Sequence, residues 1–558
     1  MKSETLKNAA VSTLVGATLV TGVIVLAPGW GKDAPPPAPG PVARAMAAAD
    51  TGAPASLTDL DALIRNRERF VRSHPGDRRS WAALGSAYVE RGTRFGDTAD
   101  YPKAERALKR SLGAVPAAKG NVDALVGLAE LANARHDFAG ARGHAERARK
   151  QQPERWSVYP ALIEAYHGLG KYAAAGKAMD KLLELQSGPQ VQGMEARVYW
   201  NKGWREDAAA LAYGATANSR TPAEKAVALH REGELAWERG EAADAVEHYT
   251  KALKAVPGGH RSLAGRARAL AALGRTDEAL EDYRSALAKV PLPEYALESG
   301  ELYESLGLSG DAATQYELMR QQVTRAGEHG VNGDLVLARY EADHGDPAAA
   351  VRRLQGEWRR GHRSVYVADA MGWALYKAGR ADDALPFARL ATDQGLRSAL
   401  FSYHLGEIER ALGDYGPARR HLDEALRTNP HFSPLLAPLA REARDALGEP
   451  EAGGPTDMTG DGPSPLESPA PPQSPSASAP AAPSPSDSSS KAPAAPSEPS
   501  ATSAPSSPSA SSASSASSAG SVPDGAAASQ APAAARPAPE LRPVQRSATA
   551  DSAVATTG

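Results

Sequence analysis

The 558 residues carry a formal net charge of -3, only 6% aromatic residues and no cysteine. A nearly neutral chain without a sustained Lys/Arg face excludes nucleic-acid binding driven by phosphate neutralisation, and the missing cysteine excludes disulfides, thiolate metal sites and a cysteine nucleophile. Length alone suggests several domains, but the middle of the chain is rich in the helix formers Ala, Leu, Arg and Glu, and both ends are different material.

Lys2 and Lys7 flank an uncharged run from Ala9 to Ala27. As a helix this run would span roughly 28 Å, close to a bilayer core. Residues 1–28 therefore read as a cleaved signal peptide or a retained signal anchor. Pro28 beside the Ala27 bond disfavours cleavage and tips the reading towards the anchor. With its positive flank inside, the remainder is expected to be exported, on the extracellular face of the cytoplasmic membrane or secreted. Residues 29–56 read as a Pro/Ala-rich linker. Leu57 to His74 then reads as an amphipathic helix that caps a helical array, with Leu60, Leu63, Ile64, Phe70 and Val71 on one side.

From there to Leu447 one pattern recurs. It is clearest between Leu229 and Pro291, where Gly233, Ala236, Gly240, Ala245, Tyr249, Ala252 and Pro257 are followed 34 residues later by Ala267, Leu270, Gly274, Ala279, Tyr283, Ala286 and Pro291. Small residues let two short helices approach closely, and the tyrosine fills the gap to the next pair. Glycine closes the first helix because a left-handed cap costs it little, and proline stops the second. About ten copies can be counted. The first has Trp81, Leu84, Gly85 and Tyr88 and a long inter-helix turn, Gly92 to Asp100; the fourth is divergent, with a poorly marked second helix over Asp207 to Thr216. The seventh has a lengthened second helix, and the tenth carries Leu405, Gly406, Gly413, Tyr415, Ala418 and Pro430. Pro434 to Leu447 reads as a closing cap. From Gly448 onward the chain is mostly Ser, Pro, Ala and Thr, without aromatic residues, and is expected to be disordered.

The period, the helix lengths and the W-x-x-L-G-x-x-Y spacing of Trp81, Leu84, Gly85 and Tyr88 resemble the tetratricopeptide repeat family. With the N-terminal segment and the high Ala, Arg and Gly content, the chain resembles exported tetratricopeptide repeat proteins of actinobacteria. The resemblance implies an all-α, right-handed superhelical solenoid over residues 57–447, whose stability sums over nearest neighbours. It also implies a concave groove lined by positions 2, 5, 9, 12 and 13 of each first helix. Position 9 gives Ser86, Glu130, Glu164, Arg197, Glu234, Arg268, Glu301, Arg339, Trp373 and Glu407. Position 12 adds His167, Trp200, Trp237 and Tyr376, and position 5 adds His230, Asp369 and Tyr403. Large aromatics at Trp200, Trp237, Trp373 and Tyr376 either anchor a ligand or pack between first helices.

No metalloprotease, hydrolase or phosphate-loop motif is present, and the histidines are scattered singly. No catalytic residue, metal ligand or cofactor is therefore expected, and an enzyme with a cryptic site is the weakest reading. The leading expectation is a non-enzymatic scaffold that holds an extended or polar peptide segment of a partner protein in the groove, with the membrane a partner only through an uncleaved N-terminal segment. The alternative is a binding protein for a small molecule or glycan that uses the groove aromatics.

Overall fold

A computed structural model describes residues 38–448 of the chain, and every regular element among them is helical. The expected membrane-targeting segment and nearly all of the tail lie outside the described residues. Ten helical hairpins succeed one another along the chain. The first five are Arg78–Phe95 with Asp100–Ala114, Val122–Ala134 with Phe138–Gln151, Val158–Gly168 with Tyr172–Leu185, Pro189–Asn201 with Arg205–Asn218, and Pro222–Glu238 with Ala242–Ala255. The second five are His260–Ala272 with Thr276–Lys289, Pro293–Ser305 with Ser309–Glu328, Asp334–His344 with Pro347–Arg359, Val365–Lys377 with Ala381–Thr392, and Ala399–Ala411 with Tyr415–Thr428. They are repeats 1 to 10, each with helices A and B. Leu57–Ser73 leads the array and Leu436–Ala446 closes it.

Local chemistry explains the hairpins. Helix A of repeat 5 starts with a capping box, in which the Thr221 hydroxyl accepts from the Glu224 amide and the Glu224 carboxylate accepts from the Thr221 amide, with Pro222 at the first helical position. Tyr249 of helix B is fully buried, and a Cβ on Gly233 of the same repeat or on Gly265 of the next would stand 2.6 or 2.5 Å from its ring. The tyrosine fills the space that two glycines leave open, as the spacing predicts. The lengthened helix B of repeat 7 is present as Ser309–Glu328.

Two expectations need correction. The segment read as a linker contains a helix, Pro41–Thr51, which buries Ala45 against Leu60 and Leu63 and pairs Arg44 with Asp59 at 2.5 Å. Its Pro-rich surroundings hide an alanine run that Pro41 starts and the left-handed Gly52 ends. In repeat 1 the long turn is mostly helix, because helix A runs on to Phe95 before Gly96 caps it.

The array is also not a purely nearest-neighbour stack. Its superhelix is tight enough for successive turns to touch along a seam. His136 Nδ1 lies 2.8 Å from Asn332 O, and the Asn332 amide donates to Arg135 O at 3.0 Å. The Val365 amide donates to the Tyr172 hydroxyl at 2.9 Å, and Asn429 Nδ2 donates to Trp237 O at 2.8 Å. These pairs are 196, 193 and 192 residues apart, so one turn takes between five and six repeats. The short turns between helices A and B of repeats 2 to 5 meet the connections that come after repeats 7 to 10. Glycine permits the approach: a Cβ on Gly170 would stand 2.1 Å from Arg363 O, and one on Gly203 would stand 2.2 Å from Gly395 O.

Candidate functional site

The A helices of the first turn face inward and, with the seam closed, surround a cavity of about 3490 Å³ whose lining runs from Pro39 to Val367. This is several times the volume of an ordinary small-molecule pocket. The N-terminal helix contributes to the wall, since Gln186 Nε2 donates to Thr51 O at 3.3 Å and Gly52 packs on Trp156.

Ten of the residues expected in the groove line this cavity: Ser86, Glu130, Glu164, His167, Arg197, Trp200, His230, Glu234, Arg268 and Arg339. Much of the charge is paired between neighbouring repeats. Arg197 donates to Glu164, Arg155 to Asp123 at 2.5 Å, and Arg268 to Glu298 at 3.2 Å. Burial pushes His167 and His230 down to about 4, with Arg197 adding to the shift at His167, so both imidazoles are neutral near pH 7. Burial first, then a neighbouring carboxylate, pushes two acids up to about 7: Glu130 beside Glu90, and Glu238 beside Glu234. The wall is thus polar but nearly balanced in charge.

The remaining seven, Trp237, Glu301, Asp369, Trp373, Tyr376, Tyr403 and Glu407, lie outside the cavity lining. Five belong to repeat 9 or 10, where the second turn is incomplete. They form a packed polar cluster: Trp373 stacks on His404 at 4.0 Å and donates to Asp343 at 2.9 Å, Asp369 stands 2.9 Å from His404, and Tyr376 donates to Glu407 at 3.4 Å. Glu301 faces His344 at 4.0 Å. Of the two readings open for the tryptophans, the structure gives packing. Trp200, Trp237 and Trp373 are 7, 6 and 4% exposed, and Trp200 shares a cluster with Val365, Ala368 and Phe401 of the next turn.

The aromatic residue that does stand open in the cavity is Tyr366, 50% exposed, with its ring edge against Phe401. It occupies position 2 of its A helix, and Glu238 occupies position 13 of another, so the groove rule marks both. Arg231, at position 6 of repeat 5, lines the cavity too but obeys no groove rule. The geometry offers no nucleophile with an aligned base among these residues, and among the described residues no group of three or more potential ligands could hold a metal ion.

A tetratricopeptide repeat family model matches residues 127–190, 230–294, 264–323 and 370–432. No curated protein matches the chain. Among solved structures, the chain is similar to the hetero-tetramer Cut9-Hcn1 of the APC/C, at 14% identity and a TM-score of 0.37, covering 66% of this chain and 76% of that one. It is also similar to the human IFIT1 dimer with PPP-AAAA, at 15% identity and a TM-score of 0.40 over 63% of this chain and 81% of that one. A third is a tetratricopeptide repeat protein from Parabacteroides merdae, at 18% identity and a TM-score of 0.30, covering 47% and 99%.

Proposed function

We propose that this chain, which belongs to the tetratricopeptide repeat family, is a non-enzymatic scaffold that takes an extended, polar peptide segment of a partner protein into its central cavity. The observation that carries this reading is the cavity itself: about 3490 Å³, walled by A helices that present both Glu and Arg. Its volume favours a peptide over a single small molecule. Balanced charge favours a partner that is polar without being strongly charged. A glycan is the second reading, supported by Tyr366 as an open stacking platform in the cavity.

The scaffold works outside the cytoplasmic membrane in this reading, since the uncharged run from Ala9 to Ala27 suits an export signal or anchor. Protease treatment of intact cells should then degrade the array. Its protection until the membrane is breached would place it inside.

The binding reading is tested by selecting peptides from a random display library on the full chain and mapping where they sit. With a photo-crosslinking residue at Tyr366, the selected peptides should become attached. With the same residue at Tyr415, which is 61% exposed and outside the cavity, they should not. Equal attachment at both positions, or attachment only at Tyr415, sinks the reading.

A further inference from the structure

We infer that Ala53, Pro54 and Ala55 are a built-in occupant of a peptide site on the inner face of repeat 1. The partner segment that replaces them has the same chemistry: an extended, uncharged stretch in which alanine follows proline. The inference rests on the peptide-binding reading and names the class of peptide for it.

The Ala55 amide donates to Glu90 Oε1 at 3.2 Å, and the Ala55 carbonyl accepts from Arg94 Nη1 at 2.7 Å. Arg94 also donates to Glu90 at 2.6 Å, so the two side chains form one clamp without net charge. Both belong to helix A of repeat 1, both line the cavity, and Glu90 stands at position 13, one of the groove positions. An extended chain in an all-helical groove finds no strand edge, so side chains must meet its amides and carbonyls. Ala55 is met in that way at both of its polar backbone atoms.

The surroundings suit small, uncharged residues. The Ala55 methyl is 4% exposed and shares a core cluster with Leu60 and Tyr101. Pro54 has no amide that needs an acceptor, and it keeps Ala53 out of the helical region. The segment then reaches repeat 3, where Gly52 lies against the Trp156 ring and Thr51 O accepts from Gln186 at 3.3 Å. At that end the hold is slight, one ring contact and one hydrogen bond between exposed groups. A guest with equivalent atoms competes for the clamp, and the tethered segment lowers the guest's apparent affinity by the fraction of time that it occupies the site.

The test uses the full chain and a fluorescein-labelled peptide with the sequence of residues 51–56, Thr-Gly-Ala-Pro-Ala-Ser, read by fluorescence anisotropy. Two variants expel the built-in segment and leave the clamp whole. Ala55→Asp puts a carboxylate in the place of a buried methyl beside Glu90, and Gly52→Val sets a branched side chain at φ 73° against Trp156. Each should bind the peptide on the order of tenfold more tightly than the parent. Adding Arg94→Ala to either variant should lose that gain. Replacing the peptide's second alanine by N-methylalanine, which cannot donate to Glu90, should lose it too. Hydrogen exchange in repeats 4 to 10 should match the parent, so the gain would not reflect a loosened array.

Equal binding by the parent and both variants, binding by none of them, or a gain that survives Arg94→Ala overturns the inference. Where display-selected peptides still attach at Tyr366, the peptide reading stands without it; where they fail as well, both fall. A gain for the selected peptides but not for Thr-Gly-Ala-Pro-Ala-Ser would mean that the segment blocks the cavity without resembling the guest, which also overturns the inference.

Discussion

Repeats 4 and 9 close helix A with the same residue in the same backbone conformation, Gly203 at φ 80° and Gly379 at φ 76°, yet the two turns live in different surroundings. A Cβ on Gly203 would strike the carbonyl of Gly395 at 2.2 Å, and one on Gly379 would meet nothing within 4 Å. The same contrast runs through the array. Gly170, Gly203 and Gly240 abut backbone of the next turn, while Gly274, Gly307, Gly379 and Gly413 face open space. One sequence rule therefore serves two purposes. In most repeats the glycine ends a helix, and in repeats 3 to 5 it also lets one turn of the superhelix rest on the next.

The largest effect should come from separating those purposes. Gly203→Ala and Gly379→Ala both place a side chain at positive φ, at a cost of ~1–2 kcal/mol. Gly203→Ala should lose a further ~1–3 kcal/mol, because the seam must move apart to admit the methyl group. Urea denaturation of the two variants measures this difference directly, and equal losses would mean that the seam contributes nothing. Asn429→Ala comes next. It removes the side-chain donor to Trp237 O and the acceptor of the His431 amide without touching a repeat landmark, and losing these two hydrogen bonds should cost ~1–3 kcal/mol. Hydrogen exchange should then quicken around residues 237–240 as well as around 429, although the two lie 192 residues apart.

A pH experiment sharpens the comparison inside the cavity. Glu238 titrates near 7 in the fold against an ordinary 4.5. A carboxyl raised in this way favours the protonated fold, so its contribution is complete below about 4.5 and is lost as pH rises through about 7. Glu238→Gln should match the parent at pH 4 and exceed it by ~1–2 kcal/mol at pH 8, after discounting for water in the cavity. His167 and His230, pushed down to about 4, act in the opposite direction. Their contribution is present above 6.5 and lost as pH falls through about 4, so the parent curve alone is flattened and the variant difference is the quantity to read. The smallest effect belongs to the free turn of repeat 9. Arg380 and Asp383 are both about half exposed, and Arg380→Ala should change stability by less than ~1 kcal/mol.

The ten hairpins were legible because their landmarks recur every 34 residues and each has a local reason. Tyr249 and Tyr283 fill gaps, Gly240 and Gly274 end helices, and Pro257 and Pro291 stop them. The seam was not legible, because its contacts join residues 192–196 apart that share no period. Asn429 is the one hint in retrospect: it precedes Pro430 where Val115, Val256 and Val290 precede the corresponding prolines. The groove residues named from the sequence include ten that line the cavity, but the rule assumed that every repeat faces one continuous open wall. Repeats 9 and 10 lie beyond the completed turn, so Asp369, Trp373, Tyr376 and Glu407 pack against one another instead. Arg231 escaped the rule because it sits at position 6, between two groove positions, yet lines the cavity.

The seam also sets the protein's mechanics. An open solenoid stretches like a spring, each coil parting a little from the next. A spring whose coils are welded cannot lengthen until the welds fail, and here they are a handful of hydrogen bonds and glycine contacts between coils. Pulled from its ends, the protein should resist stiffly, yield once as the coils separate, and only then extend compliantly. The same yield would turn a tube into an open ribbon and release whatever the tube contains.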